Sequence, residues 1–450
     1  MLTSTEKGTL SADEAAGGSL CRLRSLFGEG SRWRSWAPKA AVVLYLAVYG
    51  FGLRFPSVPI YVEERAILTV ARSDTPQEYK ALPAGIPPLV TALAANLIRF
   101  VGDVPFVWRL PSFAAGLGLI FVVYALTKAL TRNARTAFLA ALLFGLDGAA
   151  FVQARVLSAG TVMLFFALLS ILCLLRHSLL GIWSREKAFL LSGISFGLAL
   201  SSQWKALAVA VLWLYFYRRL FAETAQKRRL LFDTGFAFLL PAAAVYFLSF
   251  FLLPFLLPGF KAPHLFEWII AAHRETLAAT SDPGYARHYL SPGWTWPFLI
   301  KPVIYYWDHK TFYASGIVKE IRYLSSPVIA WLMPVACLFT ARMFFKCRSQ
   351  NQDGRPYLFI LFGIFSQWLL AALFSKPPMN SQFYPAIPFL CMAIAVALDR
   401  LLDTPGRGRD AAAVYLALVF AMFVYWYPLW NGIPVSSPYW KHHKWLESWY

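Results

Sequence analysis

Residues 156–175 read Val156-Leu-Ser-Ala-Gly-Thr-Val-Met-Leu-Phe-Phe-Ala-Leu-Leu-Ser-Ile-Leu-Cys-Leu-Leu175, twenty residues without a charge. A helix needs about 20 mostly apolar residues to cross the hydrocarbon of a bilayer. Inside lipid only such a helix, or a closed barrel, satisfies its own backbone groups. Working outward, comparable apolar runs lie at 38–55, 107–127, 135–150, 188–203, 206–217, 231–256, 324–341, 356–374, 383–399 and 410–428, which makes eleven predicted spans. The runs at 135–150 and 206–217 are short for a straight crossing and need local thinning or buried neighbours. The 450-residue chain is 58% hydrophobic and 14% charged, against roughly 25% charged in soluble domains. A soluble globular enzyme and a singly anchored protein are both excluded, and the predicted fold class is an all-α polytopic membrane protein.

A formal charge of +19 would point to nucleic acid in a soluble protein, but in a polytopic one it marks the cytoplasmic loops. With the N-terminus inside, segments 1–40, 127–135, 175–188, 217–230, 341–356 and 399–410 carry 24 Lys/Arg in 105 residues. The complementary outer segments carry 18 in 165. Clusters such as Arg218-Arg219, Lys227-Arg228-Arg229 and Lys346-Cys347-Arg348 then set orientation, and no nucleic-acid partner is expected. Residues 1–37 are polar and Gly/Ser-rich and read as a disordered cytoplasmic tail, followed by an uncleaved signal anchor near Ala40 within a membrane domain spanning 38–450. On this map Cys21 and Cys347 lie inside and Cys173, Cys337 and Cys391 within spans, so neither disulfides nor a zinc site are expected. There is no fixed-period repeat and no Walker or dinucleotide glycine motif, so nucleotide-driven chemistry is not expected.

Two outer loops, 54–109 and 257–323, are too long to be connectors, and the segment 427–450 also faces outward. Function concentrates in such loops when a rigid scaffold holds them. The first carries Tyr61-Val-Glu63-Glu64-Arg65. Adjacent carboxylates at a membrane surface repel each other and are partly desolvated, which raises a pKa and suits a proton acceptor; taken alone they also fit a solvated loop. In the second loop Trp294, Trp296, Tyr305, Tyr306 and Trp307 fit either a sugar or lipid site or the aromatic belt of a membrane interface. The spacings of His264, His273, His288 and His309 fit no helical metal pair.

Motifs in a fixed order carry a resemblance. Glu63-Glu64-Arg65-Ala-Ile-Leu-Thr-Val-Ala71-Arg72 is followed by Pro87-Pro88-Leu89, Arg109-Leu110-Pro111-Ser112, Leu146-Asp147-Gly148 and Phe151-Val-Gln-Ala-Arg155. Then come Gly197-Leu-Ala-Leu-Ser-Ser-Gln-Trp204-Lys205, Ser291-Pro-Gly-Trp294-Thr-Trp296-Pro297 with Lys301-Pro302 and Tyr305-Tyr306, Tyr384-Pro385-Ala-Ile-Pro388-Phe389, and Tyr427-Pro-Leu-Trp430-Asn-Gly432-Ile-Pro434. In this order the series resembles the protein O-mannosyltransferase family of C-type membrane glycosyltransferases.

The resemblance implies an inverting transfer of mannose or a related hexose from a polyprenyl-phosphate donor to a hydroxyl on the outer face, at a site facing the periplasm or exterior of the inner (plasma) membrane. The acceptor is a secreted or membrane protein Ser/Thr, or alternatively a glycolipid. It implies that Glu63 aligns with the catalytic carboxylate and Glu64 with its neighbour. Arg155, Lys301 and Arg109 are then candidates for the donor phosphate, although Arg155 can instead pair with Asp147 and Arg109 can be an interfacial anchor. Asp147, Trp294, Trp296, Tyr305 and Tyr306 are candidates for substrate contact. No cofactor or metal is expected, the lipid-phosphate sugar being a substrate. The chain departs from the family at Ile86, where the family has His before Pro-Pro-Leu, at Gly160, where it has Asp, and at Lys301, where it commonly has Arg. A second loop of about 67 residues leaves no room for the β-trefoil domain of eukaryotic relatives, which fits the compact bacterial form. Two alternatives stand beside this reading. A non-catalytic paralogue would make Glu63 and Glu64 dispensable, and a transporter would place carboxylates at mid-membrane.

Overall fold

The computed structural model describes residues 33–72, 85–178, 180–256, 265–278, 284–375 and 377–449. Most of the expected tail, Cys21 and His264 lie outside them. Met1–Phe51 and Gly52–Tyr450 form separate compact units. The first contains α1 (Trp33–Gly50), on which Tyr45 and Tyr49 stack at 4.2 Å.

The second unit begins with two helices in the first outer loop, α2 (Val62–Ala71) and α3 (Pro88–Val101). There follow α4 (Pro105–Thr131), α5 (Ala134–Gly145), α6 (Gly148–Arg155), α7 (Ala159–Ser178), α8 (Arg185–Ser202), α9 (Ala206–Glu223) and α10 (Lys227–Phe251). The second outer loop holds α11 (Leu265–Ala278), β1 (Val303–Trp307), α12 (His309–Ser315), β2 (Ile317–Val318) and β3 (Glu320–Tyr323). The chain closes with α13 (Pro327–Ser349), α14 (Arg355–Phe374), α15 (Asn380–Asp403), α16 (Arg407–Asn431), β4 (Val435–Ser436) and α17 (Ser437–His442).

Every predicted apolar run coincides with helix. Among the described residues, α4, α7, α10, α13, α14, α15 and α16 are long and apolar enough to cross a membrane. The pair α5–α6 makes an eighth crossing if counted as one span, but it is bent by 62°. Asp147 causes that bend locally. Its carboxylate accepts the N–H groups of Ala149 (2.9 Å) and Ala150 (3.1 Å), so it starts a new helix where the backbone would otherwise have continued the old one. The runs at 38–55, 188–203 and 206–217 correspond to α1, α8 and α9, 18 residues each, which are not among the helices apolar enough to cross, so a count of eleven crossings is not established.

Small residues bring spans together where a larger side chain would hold them apart. Gly193 and Gly197, one turn apart on α8, face the backbone of Phe238 and Ala242 on α10, so a β-carbon at either position would collide with main chain.

The outer loops contain more regular structure than expected. Strand β1 pairs antiparallel with β3, with an irregularity between Ile304 and Tyr306, and β2 pairs antiparallel with β4 from the C-terminal segment. The C-terminal segment is also held through buried charge. Arg322 pairs with Glu320 beside it on β3, and Lys444 reaches Glu320 at 3.7 Å. Arg322 and Lys444 each donate to the Trp449 carbonyl at 2.8 Å, and Trp440 Nε1 donates to Glu320 at 2.6 Å. Buried ions persist only when paired and hydrogen-bonded, so this cluster fixes the hairpin to the C-terminal segment.

On the orientation expected from the charge distribution, the 257–323 loop and the α9–α10 connection lie on opposite faces of the membrane. A membrane-impermeant thiol reagent should label Tyr313→Cys, whose parent side chain is 82% exposed, in intact cells. Lys227→Cys should label only after permeabilisation. The reverse pattern would invert the topology.

Candidate active site

Glu63 and Glu64 lie in the first turn of α2. Neighbouring residues on a helix point about 100° apart, so one carboxylate turns into the protein while the other lines its surface. Glu64 is the inner one and is fully buried. Its Oε1 accepts from Arg109 Nη2 at 2.9 Å, Arg109 Nε at 3.3 Å and Trp108 Nε1 at 3.3 Å, and its Oε2 accepts from the Leu157 N–H at 2.9 Å. Arg109 spends its remaining donors on the carbonyls of Leu53 (2.9 Å) and Phe55 (3.0 Å). The expectation that Arg109 meets a lipid phosphate is therefore corrected: the guanidinium is fully buried and filled by protein acceptors.

Glu63 is the outer carboxylate and remains partly accessible. Its Oε1 accepts from the N–H groups of Ala159 (2.6 Å) and Gly160 (3.3 Å), at the start of α7, where unpaired amides and the helix dipole favour an anion. Surrounding protein nevertheless removes enough water to push its pKa above the ordinary carboxylate value. The cation of Lys205 opposes that rise first, and the two amides oppose it next. Lys205 is itself exposed, yet loss of water lowers its pKa, with Glu63 opposing the change. The Lys205 ammonium donates to Gln382 Oε1, and a β-carbon on Gly160 would sit 3.4 Å from Gln203 Oε1, so the 203–205 turn flanks the start of α7.

That turn is tied to the outer loop. Trp204 Nε1 donates to Tyr246 Oη at 2.9 Å, and Tyr246 Oη lies 2.8 Å from His273 Nε2. His273 Nδ1 is 2.6 Å from the Ile269 carbonyl. A carbonyl can only accept, so Nδ1 carries a proton, and in the neutral ring Nε2 then accepts from the tyrosine.

The remaining candidates fall into three groups. Asp147, expected to touch substrate, is fully buried; besides capping α6 it accepts the Ser326 N–H at 3.0 Å and the Ser325 hydroxyl, so it joins two elements and presents no open oxygen. Trp296 is likewise buried and donates to Ser291. Arg155 is 5% exposed with its guanidinium 5.0 Å above the Phe151 ring. Tyr305 is buried, stacked on Tyr61 at 4.0 Å and on Tyr323 at 5.5 Å, with its hydroxyl accepting from Gln153 at 3.1 Å. Burial, the neighbouring tyrosines and Glu63 hold its pKa well above the usual phenol range. Tyr306 is half-buried against Phe55. Trp294 is 67% exposed, and Lys301 is partly exposed with no hydrogen-bond or ion-pair partner among the described residues. Sequence reasoning gave no role to Lys205, Gln382, Tyr61, Gln153 or Tyr323. Lys205, Tyr61 and Gln153 fell within quoted motifs, but nothing in their spacing brings them to the site.

Two family models match in tandem. "Dolichyl-phosphate-mannose-protein mannosyltransferase" covers residues 92–265, and "C-terminal four TMM region of protein-O-mannosyltransferase" covers 265–449. The chain belongs to the protein O-mannosyltransferase family. Glu63 and Glu64 precede the matched residues, so their roles rest on geometry. The polyprenol-phosphate-mannose–protein mannosyltransferase of Mycobacterium tuberculosis is 24% identical over 435 residues, covering 81% of this chain and 80% of the relative. Its Mycolicibacterium smegmatis counterpart is 24% identical over 416 residues, covering 76% and 77%. The protein O-mannosyltransferase Pmt1-Pmt2 complex of S. cerevisiae, solved with its sugar donor, superposes with a TM-score of 0.76 at 12% identity, over 96% of this chain and 94% of that one. ArnT from Cupriavidus metallidurans, bound to undecaprenyl phosphate, matches with a TM-score of 0.56 at 17% identity, over 87% and 65%. At these identities the likeness concerns the fold, which is that of the C-type membrane glycosyltransferases. This member of the protein O-mannosyltransferase family is thus a multi-pass membrane protein and a mannosyltransferase-like enzyme.

Proposed function

We propose that the chain transfers mannose or a closely related hexose from a polyprenyl-phosphate donor to Ser or Thr hydroxyls of proteins on the outer face of the plasma membrane. The observation that carries this reading is the division of labour in the carboxylate pair. Glu64 is locked into the fold by Arg109, and Glu63 stays partly accessible beside the Lys205 cation. In a single displacement the acceptor oxygen attacks the anomeric carbon from the face opposite the phosphate. The C–O bond to the sugar forms, the bond to the phosphate oxygen breaks, and the anomeric configuration inverts. The hydroxyl proton goes to Glu63, and the bond electrons leave on the lipid phosphate. Lys205 faces the charge developing there, and an ammonium in a site poor in water interacts more strongly than one in bulk solvent. No cofactor or metal takes part in this scheme.

The reading is tested in membranes given labelled polyprenyl-phosphate mannose and an acceptor peptide, with the product analysed by mass spectrometry. A hexose on Ser or Thr is the expected product. Label only on lipid would replace the protein acceptor with a glycolipid, and no transfer at all would favour a non-catalytic paralogue.

The Lys205 assignment has two separate readouts. Lys205→Met should raise the donor concentration needed for half-maximal rate. It should also move the acidic limb of the rate profile to higher pH, because Glu63 acts only when deprotonated and losing a nearby cation raises its pKa further. Lys205→Arg should hold that limb in place. A limb that stays fixed in Lys205→Met would separate the lysine from Glu63.

A further inference from the structure

Backbone amides at and just before a helix start have no partner within the helix. At the start of α7 the consecutive N–H groups from Leu157 to Gly160 are all taken by side chains instead. Leu157 donates to Glu64 Oε2 at 2.9 Å, while Ala159 and Gly160 donate to Glu63 Oε1 at 2.6 Å and 3.3 Å. The amide between them, on Ser158, goes to neither carboxylate. It donates to Ser112 Oγ at 2.8 Å, and the same hydroxyl donates to the Ser158 carbonyl at 3.2 Å. Ser112 and Ser158 are fully buried, so bulk water cannot replace either bond.

Ser112 reaches this place from α4. It follows Arg109 by three residues, which puts the two on one face of the helix: Arg109 holds Glu64, and Ser112 holds the chain that leads into α7. A hydroxyl within a helix commonly turns back to the carbonyl four residues earlier, as Thr127 and Thr131 further along α4 do. The Ser112 hydroxyl is spent, as donor and as acceptor, on one residue of another element. Were the Ser158 amide free, it would lie between two carboxylates already bound to its neighbours, and either could swing onto it. A neutral hydroxyl at that amide keeps the two anions apart.

We propose that Ser112 is a positioning residue for the transfer: by occupying the Ser158 amide it keeps Glu63 and Glu64 on separate amides and fixes the carboxylate that takes the hydroxyl proton. The inference rests on Glu63 as that proton acceptor. The other ionisable side chains that act on Glu63 are Lys205, before α9, Tyr305, on β1, and its neighbour Glu64, which is paired with Arg109. Ser112 hydrogen-bonds to none of these among the described residues; its partner is Ser158. A change at Ser112 therefore reaches Glu63 through the backbone amides.

The test follows rate against pH for the full-length protein in membranes, at saturating polyprenyl-phosphate mannose and matched protein levels. Ser112→Ala retains α4, since alanine is the best helix former, and frees the Ser158 amide. The two carboxylates are then drawn towards that amide and towards each other, which disfavours ionisation of Glu63. The acidic limb should move up by about half a pH unit, the scale of a loosened hydrogen bond to a carboxylate. Turnover above the limb should fall about tenfold through misplacement of the base, with the donor concentration for half-maximal rate unchanged. Ser112→Cys fills nearly the same space with a weak acceptor and should move the limb the same way by less. Ser170→Ala is the control. Ser170 is equally buried on α7 and donates to the Ser192 carbonyl at 2.8 Å, about 15 Å along the helix from Gly160. Its loss should lower the thermal midpoint and leave the limb in place. A limb that stays fixed in both Ser112 variants, or that moves equally in Ser170→Ala, would overturn the proposal and leave Glu63 as the base. Normal turnover in Glu63→Gln would remove the base and this inference together.

Discussion

Glu63→Gln is expected to lower turnover by about 10²–10⁴-fold, the usual worth of a general base, while leaving folding and donor binding intact. Glutamine has the same length, and its amide oxygen can still accept from the Ala159 and Gly160 N–H groups that hold Glu63 Oε1. It cannot take a proton. Turnover at saturating donor, with protein levels matched, isolates that single difference. Glu63→Asp should retain measurable rate only if the site tolerates withdrawal of the carboxylate by one methylene. The pH dependence supplies a second check. Burial raises the Glu63 pKa, so the wild-type rate should climb with pH through a value above the ordinary carboxylate range, and that limb should be absent from the residual rate of Glu63→Gln. Normal turnover in Glu63→Gln would remove the residue from the chemistry and favour a non-catalytic role.

What the sequence disclosed follows from what is local in it. Apolar runs are legible because the bilayer imposes a one-dimensional rule on length and polarity, and each run did meet a helix. The 62° bend between α5 and α6 stayed hidden because hydropathy does not register a break of two residues, although Asp147 before Gly148-Ala149-Ala150 has the chemistry of an N-cap. The carboxylate pair was legible as a pair. Its division of labour was not, because the segment was read as loop, and only a helix separates adjacent side chains by about 100°. Arg109 looked like a cation at a span's entrance; its partner is 45 residues earlier in the chain, and no spacing rule connects them. The same holds for Lys205, brought beside Glu63 by the packing of the 203–205 turn against the start of α7, and for Lys444, buried with Glu320 across 124 residues. Charged residues in outer loops are ordinarily solvated, so their burial becomes visible only once the fold is built.

The buried pair of Glu64 and Arg109 should govern stability where Glu63 governs rate. Their side chains are at most 1% exposed, and removing one member of such a pair strands the other charge, at a cost of about 3–5 kcal/mol. Glu64→Gln leaves the guanidinium without its anion. Arg109→Leu leaves a carboxylate whose remaining donors are Trp108 Nε1 and the Leu157 N–H. Each single variant should lower the thermal midpoint of the purified protein. Each should also cost activity, because α2 is docked through Glu64 to Leu157, two residues before the Ala159 amide that holds Glu63. The double variant Glu64→Gln/Arg109→Leu should lose less stability than the sum of the singles, since neither stranded charge remains, with a coupling energy of about 0.5–3 kcal/mol. Midpoints equal to wild type in both singles would show that water or local rearrangement satisfies the stranded charge. Strict additivity would show that the 2.9 Å contact carries no coupling. The contrast with Glu63→Gln then assigns the two neighbours: a variant that folds normally and turns over slowly marks the proton acceptor, and a variant that loses both properties together marks the residue that holds it in place.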